Sequence, residues 1–153
     1  LGTDLTARGQ HALAAQPDLI KPNRVELAEA VGRDLPTVGA VVDAARELIG
    51  RGIGTVVISL GRDGALLVDA DQVIQASARV DRPVSTVGAG DSLLAGYLHS
   101  VWSGADAETA LRTAVAFGAA AVALPGSEMP GLAQVAAIAV QSIEPDPDRP
   151  LDD

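Results

Sequence analysis

Apolar positions change their spacing along the chain, and each change marks an element. Thr55-Val56-Val57-Ile58-Ser59-Leu60 is a continuous apolar run rich in β-branched residues. Such a run predicts a strand buried on both faces, as in a parallel sheet. Before it, Val38, Val41, Val42, Ala45, Leu48 and Ile49 recur at helical spacing, with Asp43, Arg46, Glu47 and Arg51 on the other face. Thr37 caps that helix, and Gly50 and Gly52 end it. Asp18-Leu19-Ile20 predicts a short strand stopped by Pro22, and Asn23 then caps a helix over Glu26 to Val31. After the apolar run, Ala65 to Val68 and Gln72 to Ala76 predict a hairpin turned by Asp69-Ala70-Asp71.

The second part of the chain reads as helices. One runs from Asp91 to about Trp102, with Leu94, Leu98, Val101 and Trp102 on one side, and Trp102 is expected to pack. Asp106 caps a long helix of small residues: Ala107, Ala110, Leu111, Ala114, Val115, Gly118, Ala119 and Val122. So smooth a helix either packs close to a neighbour or forms a shallow wall against a flat ligand. Ala133 to Ser142 predicts a last helix, and residues 144–153, rich in Pro and acid, a mobile tail. At the other end, Leu1 to Asp4 reads as a strand end, with Thr3 or Asp4 capping a weak helix through Leu5, Ala12, Leu13 and Ala15; His11 is given no role. The pattern predicts one α/β unit over 1–143: at least two strands of a parallel sheet, a hairpin and about five helices.

Composition narrows the function. The chain has 153 residues, 48% hydrophobic and 2% aromatic, so the core must be Ala, Val, Leu and Ile. The net charge of −9 argues against nucleic acid. No apolar run is long enough to span a membrane and no signal peptide is visible, which predicts a soluble, cytoplasmic chain. There is no cysteine, hence no disulfide and no thiolate metal site. The single lysine, Lys21, precedes Pro22, so no lysine-bearing phosphate loop exists. Phosphates would have to be held by backbone N–H groups, arginine and a metal ion. With Leu1 first and Met129 the one methionine, the chain is expected to have lost its start or to belong to a longer protein.

The stretch Ser85-Thr86-Val87-Gly88-Ala89-Gly90-Asp91-Ser92 fits that requirement. It is a glycine turn running into a helix. The first N–H groups of a helix have no partner within it, so such a turn can cradle an anion. Asp91 sits in the first turn, where the helix dipole favours a carboxylate. An anion cradle beside a carboxylate suits phosphoryl transfer: the carboxylate orients a hydroxyl and takes its proton. The plainer alternative is that Asp91 only caps a helix. Asn23 and Glu26 have the spacing of a capping box. They also stand at the C-terminal end of a strand, where ligands bind in open α/β sheets, and a carboxylate there can hold water on Mg²⁺. Gly61 and Gly64 bracket a loop at the end of the next strand. They are either turn residues or a second backbone surface against a nucleotide.

These three motifs, in this order, resemble the C-terminal half of a ribokinase-like (PfkB-type) sugar kinase. The family signature Asp-Thr-x-Gly-Ala-Gly-Asp is matched by Ser85 to Asp91, with Ser85 replacing the first Asp. Ser-Thr-Val-Gly-Ala-Gly-Asp-Ser and Lys21-Pro22-Asn23-Arg24-Val25-Glu26 resemble the phosphosugar branch: 1-phosphofructokinases, minor 6-phosphofructokinases and tagatose-6-phosphate kinases. The segment Pro145 to Leu151 looks most like bacterial fructose-1-phosphate kinases.

The resemblance implies a partial three-layer α/β/α fold and ATP-dependent phosphorylation of a phosphosugar, fructose 1-phosphate first. It implies Asp91 as base, with Gly88, Ala89 and Gly90 as the anion hole. Asn23 and Glu26 would position Mg²⁺ and the ATP phosphates. Lys21, Ser59, Gly61, Gly64 and Thr86 would lie along the nucleotide, and Val115, Gly118 and Ala119 would line the adenine pocket. A monovalent cation such as K⁺ would sit near Ser85, Val87, Ala121, Leu124, Gly126 and Glu128, weakened by the loss of Asp at 85. Family members also carry an N-terminal half with most sugar-binding residues and a lid that often makes the dimer. A chain lacking that half is expected to bind sugar weakly and to need a partner, domain exchange or a homodimer to cover the open sheet edge. A nucleotide-binding remnant without activity is the alternative. A dinucleotide-dependent oxidoreductase is disfavoured, because no third glycine follows Gly88-Ala89-Gly90 at the spacing that fold needs.

Overall fold

The computed structural model describes residues 13–152. The strand end at Leu1 to Asp4, the cap at Thr3 or Asp4, and Leu5, His11 and Ala12 lie outside the described residues. In chain order the elements are β1 (Leu19–Ile20), α1 (Arg24–Val31), α2 (Val38–Gly50), β2 (Thr55–Ser59), a 3-10 turn (Gly61–Asp63), β3 (Ala65–Val68), β4 (Val73–Ala78), α3 (Ala89–Trp102), α4 (Ala107–Val122), α5 (Leu132–Ala136) and β5 (Val140–Ile143). The five strands form one sheet in the order β1-β2-β3-β4-β5. It is mixed: β1 and β2 are parallel, pairing Leu19 with Thr55, whereas β4 and β5 are antiparallel, pairing Gln75 with Ile143. Among the described residues no helix is long and apolar enough to cross a membrane.

Contacts divide the chain into two compact units. The first takes in the described residues up to Leu60, Leu66–Ile74 and the segment from Glu144; the second takes in Gly61–Ala65 and Gln75–Ile143. The boundary runs inside β3 and β4 rather than through a linker, so composition carries no trace of it.

In the first unit, Leu27 of α1 and Val38, Val41 and Leu48 of α2 are sealed against Val56 and Ile58 of β2. Thr37 starts α2 by accepting the N–H of Ala40 at 3.2 Å. Each fully buried Val or Leu contributes about 1.5–3 kcal/mol. Val57 and Leu67 are also buried, and strand alternation puts them on the opposite sheet face. The expectation of a β2 covered on both sides therefore holds.

The segment from Glu144 is not a mobile tail. The N–H of Leu151 donates to Pro36 O at 2.9 Å, and Arg149 and Pro147 accept the N–H groups of Val38 and Gly39. Leu151, 8% exposed, joins the apolar core. A Cβ on Gly39 would stand 2.9 Å from Pro147 O, so glycine there lets the segment lie on α2. Pro-rich composition signalled lack of helix, and lack of helix is not lack of docking.

In the second unit, α3 and α4 pack at glycines. A Cβ on Gly96 would meet the Phe117 ring at 2.6 Å, and one on Gly118 would lie 3.4 Å from Leu93 Cβ. The buried face of α3 is Ser92, Leu93, Gly96, Tyr97 and Ser100. The expected stripe is displaced: Leu94 and Leu98 are half-buried, Val101 is 41% exposed and Trp102 83%. Close packing selects small residues, so hydropathy marks the wrong face. The predicted helix over Ala133 to Ser142 is also corrected. Alanine favours helix, but the helix stops at Ala136, and Val140–Ile143 pairs with β4. Arg112 secures that strand by donating to Val140 O at 3.0 Å and Ser142 Oγ at 3.1 Å.

Two outcomes test these contacts. Leu151→Ala should cost about 2 kcal/mol, read as a lower urea midpoint; an unchanged midpoint would mean the segment is not docked. Asp106 accepts the backbone N–H of Thr109 at 2.8 Å, and that hydrogen bond holds its carboxyl below the usual aspartate range. Its stabilisation is therefore present above the unfolded-state value and lost as pH falls through the lowered folded value. Asp106→Asn keeps a capping oxygen that does not titrate. Its stability should fall less than that of the unaltered chain between about pH 6 and pH 2.

Candidate active site

The glycine turn is built in the second unit by backbone alone. Val84 and Ser85 both donate their N–H groups to Val122 O, at 2.8 and 3.1 Å, which ties the approach to the end of α4. Val87 N–H donates to Ser85 Oγ at 3.2 Å. Gly88 then takes a left-handed conformation, φ +78°, as N-cap of α3, and gives no side-chain cap. The helix thus begins at Ala89, two residues earlier than expected. Asp91 stays in its first turn.

The remaining donors are the important ones. Ala89 N–H reaches Thr86 O at 3.3 Å, and Ser92 N–H closes the first helical bond to Gly88 O at 2.9 Å. Among the described residues the N–H groups of Gly90 and Asp91 have no acceptor. The turn presents two adjacent unpaired donors at the positive end of a 14-residue helix, an arrangement suited to anionic oxygens. Asp91 is exposed beside them, as a base that meets a substrate hydroxyl must be. Behind the turn, Ser92 is 1% exposed and donates its hydroxyl to Met129 Sδ at 3.5 Å. A Cβ on Gly88 would lie 3.6 Å from Ser127. Ser127, between Gly126 and Glu128, therefore lies next to Gly88. Ala121 O accepts the N–H of Leu124 at 3.0 Å. Val122, Ser127 and Met129 are the parts that sequence reasoning missed. They act through a carbonyl, a close approach and a thioether, none of which has a sequence signature.

The expected nucleotide-side residues divide. Val115 and Ala119 are buried, and Gly118 sits against α3, 3.5 Å from Ala89 O if given a Cβ. The close-packing account of this smooth helix is thus satisfied in full. Gly64, φ +86°, would bring a Cβ to 2.7 Å from Ser77 Cα, which explains its glycine by strand packing. Gly61, φ +58°, faces open space.

In the first unit the capping box is complete. Glu26 N–H donates to Asn23 Oδ1, and Asn23 N–H donates to Glu26 Oε2, both at 2.8 Å. Asn23 also bridges Ser59 at the end of β2, where Ser59 N–H donates to Pro22 O at 3.1 Å. Asn23, Glu26 and Ser59 are therefore brought together, next to half-buried Lys21. The box leaves Glu26 Oε1 and Asn23 Nδ2 without a hydrogen bond among the described residues. A single carboxylate oxygen suits Mg²⁺, which keeps most of its waters. No group of three His, Cys, Asp or Glu gathers among the described residues.

The chain is similar to known proteins in sequence and in fold. The family described as pfkB family carbohydrate kinase matches residues 2–132. The 1-phosphofructokinase of Rhodobacter capsulatus is 40% identical over 128 residues, covering 84% of this chain and 40% of that protein. That of Escherichia coli (strain K12) is 47% identical over 111 residues, covering 72% of this chain and 35% of that protein. Crystal structures of phosphofructokinase-2 from Escherichia coli, with substrates and products and with potassium, superpose with a TM-score of 0.78 at 36% identity; they cover 83% of this chain and 42% of theirs. The chain spans about two fifths of the length of the curated relatives it matches.

The left-handed Gly88 gives a direct test of the turn. A Cβ there has room, so Gly88→Ala should cost only the conformational strain, about 1–2 kcal/mol in urea denaturation. A neutral substitution would show that the turn is not left-handed in solution.

Proposed function

The chain belongs to the pfkB family of carbohydrate kinases, and from that premise we propose that it carries the nucleotide-binding and catalytic half of an ATP-dependent phosphosugar kinase. The observation that carries the reading is the start of α3: two N–H groups without acceptors beside an exposed Asp91. Asp91 takes the proton of the sugar hydroxyl. The hydroxyl oxygen bonds to the γ-phosphorus as the bond to the β-phosphate bridging oxygen breaks, and ADP leaves. The N–H groups of Gly88, Gly90 and Asp91, rather than that of Ala89, meet the phosphoryl oxygens, because Ala89 already has an acceptor in Thr86. These donors act where charge builds in the transition state. In a loose transition state the proton can leave late, so a carboxylate is an adequate base.

Asn23 and Glu26 serve the phosphates and Mg²⁺, through Asn23 Nδ2 and a water held by Glu26 Oε1. When bound, the metal neutralises charge on the phosphates. Lys21, Ser59, Gly61, Gly64 and Thr86 line the nucleotide, and Val115, Gly118 and Ala119 back the adenine. K⁺ would take carbonyls from Ser85, Val87, Ala121, Leu124, Gly126 and Glu128; a phosphofructokinase-2 neighbour solved with potassium supports the choice of cation. Ser85 brings no carboxylate to it.

Fructose 1-phosphate, giving fructose 1,6-bisphosphate, is the first substrate, on the strength of the 1-phosphofructokinase relatives. The phosphofructokinase-2 neighbours favour fructose 6-phosphate as a second reading. A second copy or a partner chain covering an open sheet edge, and a cytoplasmic site of action where ATP is available, belong to the same proposal.

The test is ADP release from MgATP by the chain with fructose 1-phosphate, fructose 6-phosphate and tagatose 6-phosphate in turn. Turnover is expected to be greatest with fructose 1-phosphate and to fall about 10²–10⁴-fold in Asp91→Asn. Equal turnover in Asp91→Asn would remove Asp91 as base. MgATP binding without turnover on any sugar would leave a nucleotide-binding remnant.

A further inference from the structure

Arg24 is the first residue of α1, between the two members of the capping box. Its Nη1 donates to two carbonyls: Leu35 O at 3.3 Å and Leu151 O at 3.4 Å. The first lies in the loop after α1. The second lies 127 residues beyond Arg24, in the segment that docks through Leu151, Arg149 and Pro147 onto residues 36–39. The first turn of α1 is thus fastened at two places. Asn23 bridges Ser59 at the end of β2, and Arg24 hooks the C-terminal segment.

Close packing does not replace this second fastening. Beside it lies a cleft of about 410 Å³, lined by Arg24, Val25, Ala28, Leu35, Pro36 and Leu151. Val25 is exposed. Leu27 anchors the opposite side of this turn in the core, whereas on the cleft side α1 faces open space and the guanidinium ties the turn to the C-terminal segment. A small rotation of that turn would move Glu26 Oε1 and Asn23 Nδ2, the two atoms the capping box leaves available.

We propose that the C-terminal segment, through Arg24, is the positioning element for Asn23 and Glu26. This rests on the reading of those two residues as the Mg²⁺ and phosphate pair. In physical terms, Arg24 touches neither metal nor nucleotide; it fixes the angle at which the helix start presents them. The segment that composition marks as a tail would then set the metal dependence of a site at the opposite end of the sequence.

The experiment measures the Mg²⁺ concentration that half-saturates ATP binding to the chain, by calorimetry, with thermal unfolding in parallel. Arg24→Met keeps the stem and removes the donors; removal of residues 147–153 takes away one of the two acceptors, Leu151 O. The truncation, which removes one of these hydrogen bonds, should raise half-saturating Mg²⁺ about fivefold, and Arg24→Met, which removes both, at least as much. Metal-free ATP binding should stay unchanged. Arg24→Lys, which keeps a cationic donor, should recover most of the loss. Val42→Ala, a core truncation elsewhere in the first unit, should lower stability without moving the Mg²⁺ dependence. If Val42→Ala moves it as far as Arg24→Met does, or if Arg24→Met leaves it unchanged while Glu26→Gln raises it, the positioning role is overturned and the site reading stands. If Glu26→Gln leaves it unchanged, or the unaltered chain does not bind MgATP, the site reading fails and this inference with it.

Discussion

A helix start exposes N–H groups that its own backbone cannot satisfy, and the way α3 handles this governs the second unit. Three of the described helices resolve it with a side chain: Asn23, Thr37 and Asp106 each accept a donor of the helix they open. At α3 the N-cap is Gly88, which has nothing to offer. The donors of Gly90 and Asp91 stay open, and keeping them so needs support from elsewhere. Val122 O takes two N–H groups and fixes the approach. Gly96 and Gly118 let α4 come close enough for that carbonyl to arrive. The smooth composition of α4 and the unsatisfied start of α3 are parts of one arrangement.

The first unit follows a different rule. Asn23 and Glu26 form a complete capping box and still keep one polar atom each for other use. A structural reading and a functional reading of the same residues therefore do not compete. The cap holds both side chains in one rotamer, which lowers the entropy lost when they take up a ligand. Gly118 gives the contrasting case. There close packing accounts for the glycine completely, and any role beside a nucleotide is carried by family likeness alone.

Much of this was legible in the chain, for reasons that can be stated. The strand over Thr55–Ser59 and helix α2 were readable because burial on two faces and burial on one face leave different periods. The glycine turn and the capping box were readable because each needs particular residues at fixed spacing. The face of α3, the end of α5, and the docking of residues 147–151 were not. Ser92, Gly96 and Ser100 are buried because a neighbouring helix comes close, and Val140–Ile143 is a strand because β4 offers it partners. In each case the deciding atom is far away along the chain.

Local chemistry thus belongs to the sequence: which residue can cap, which can turn left-handed, which carboxylate stands in a first helical turn, and which kinase family the motifs match. Tertiary structure alone decided which donors stay unpaired, which oxygen of Glu26 is already committed, and that an apparent tail is a docked segment held by Arg24. The reason is physical. Conformational preference acts over a few residues, whereas hydrogen-bond satisfaction and close approach are settled between segments that only the fold brings together.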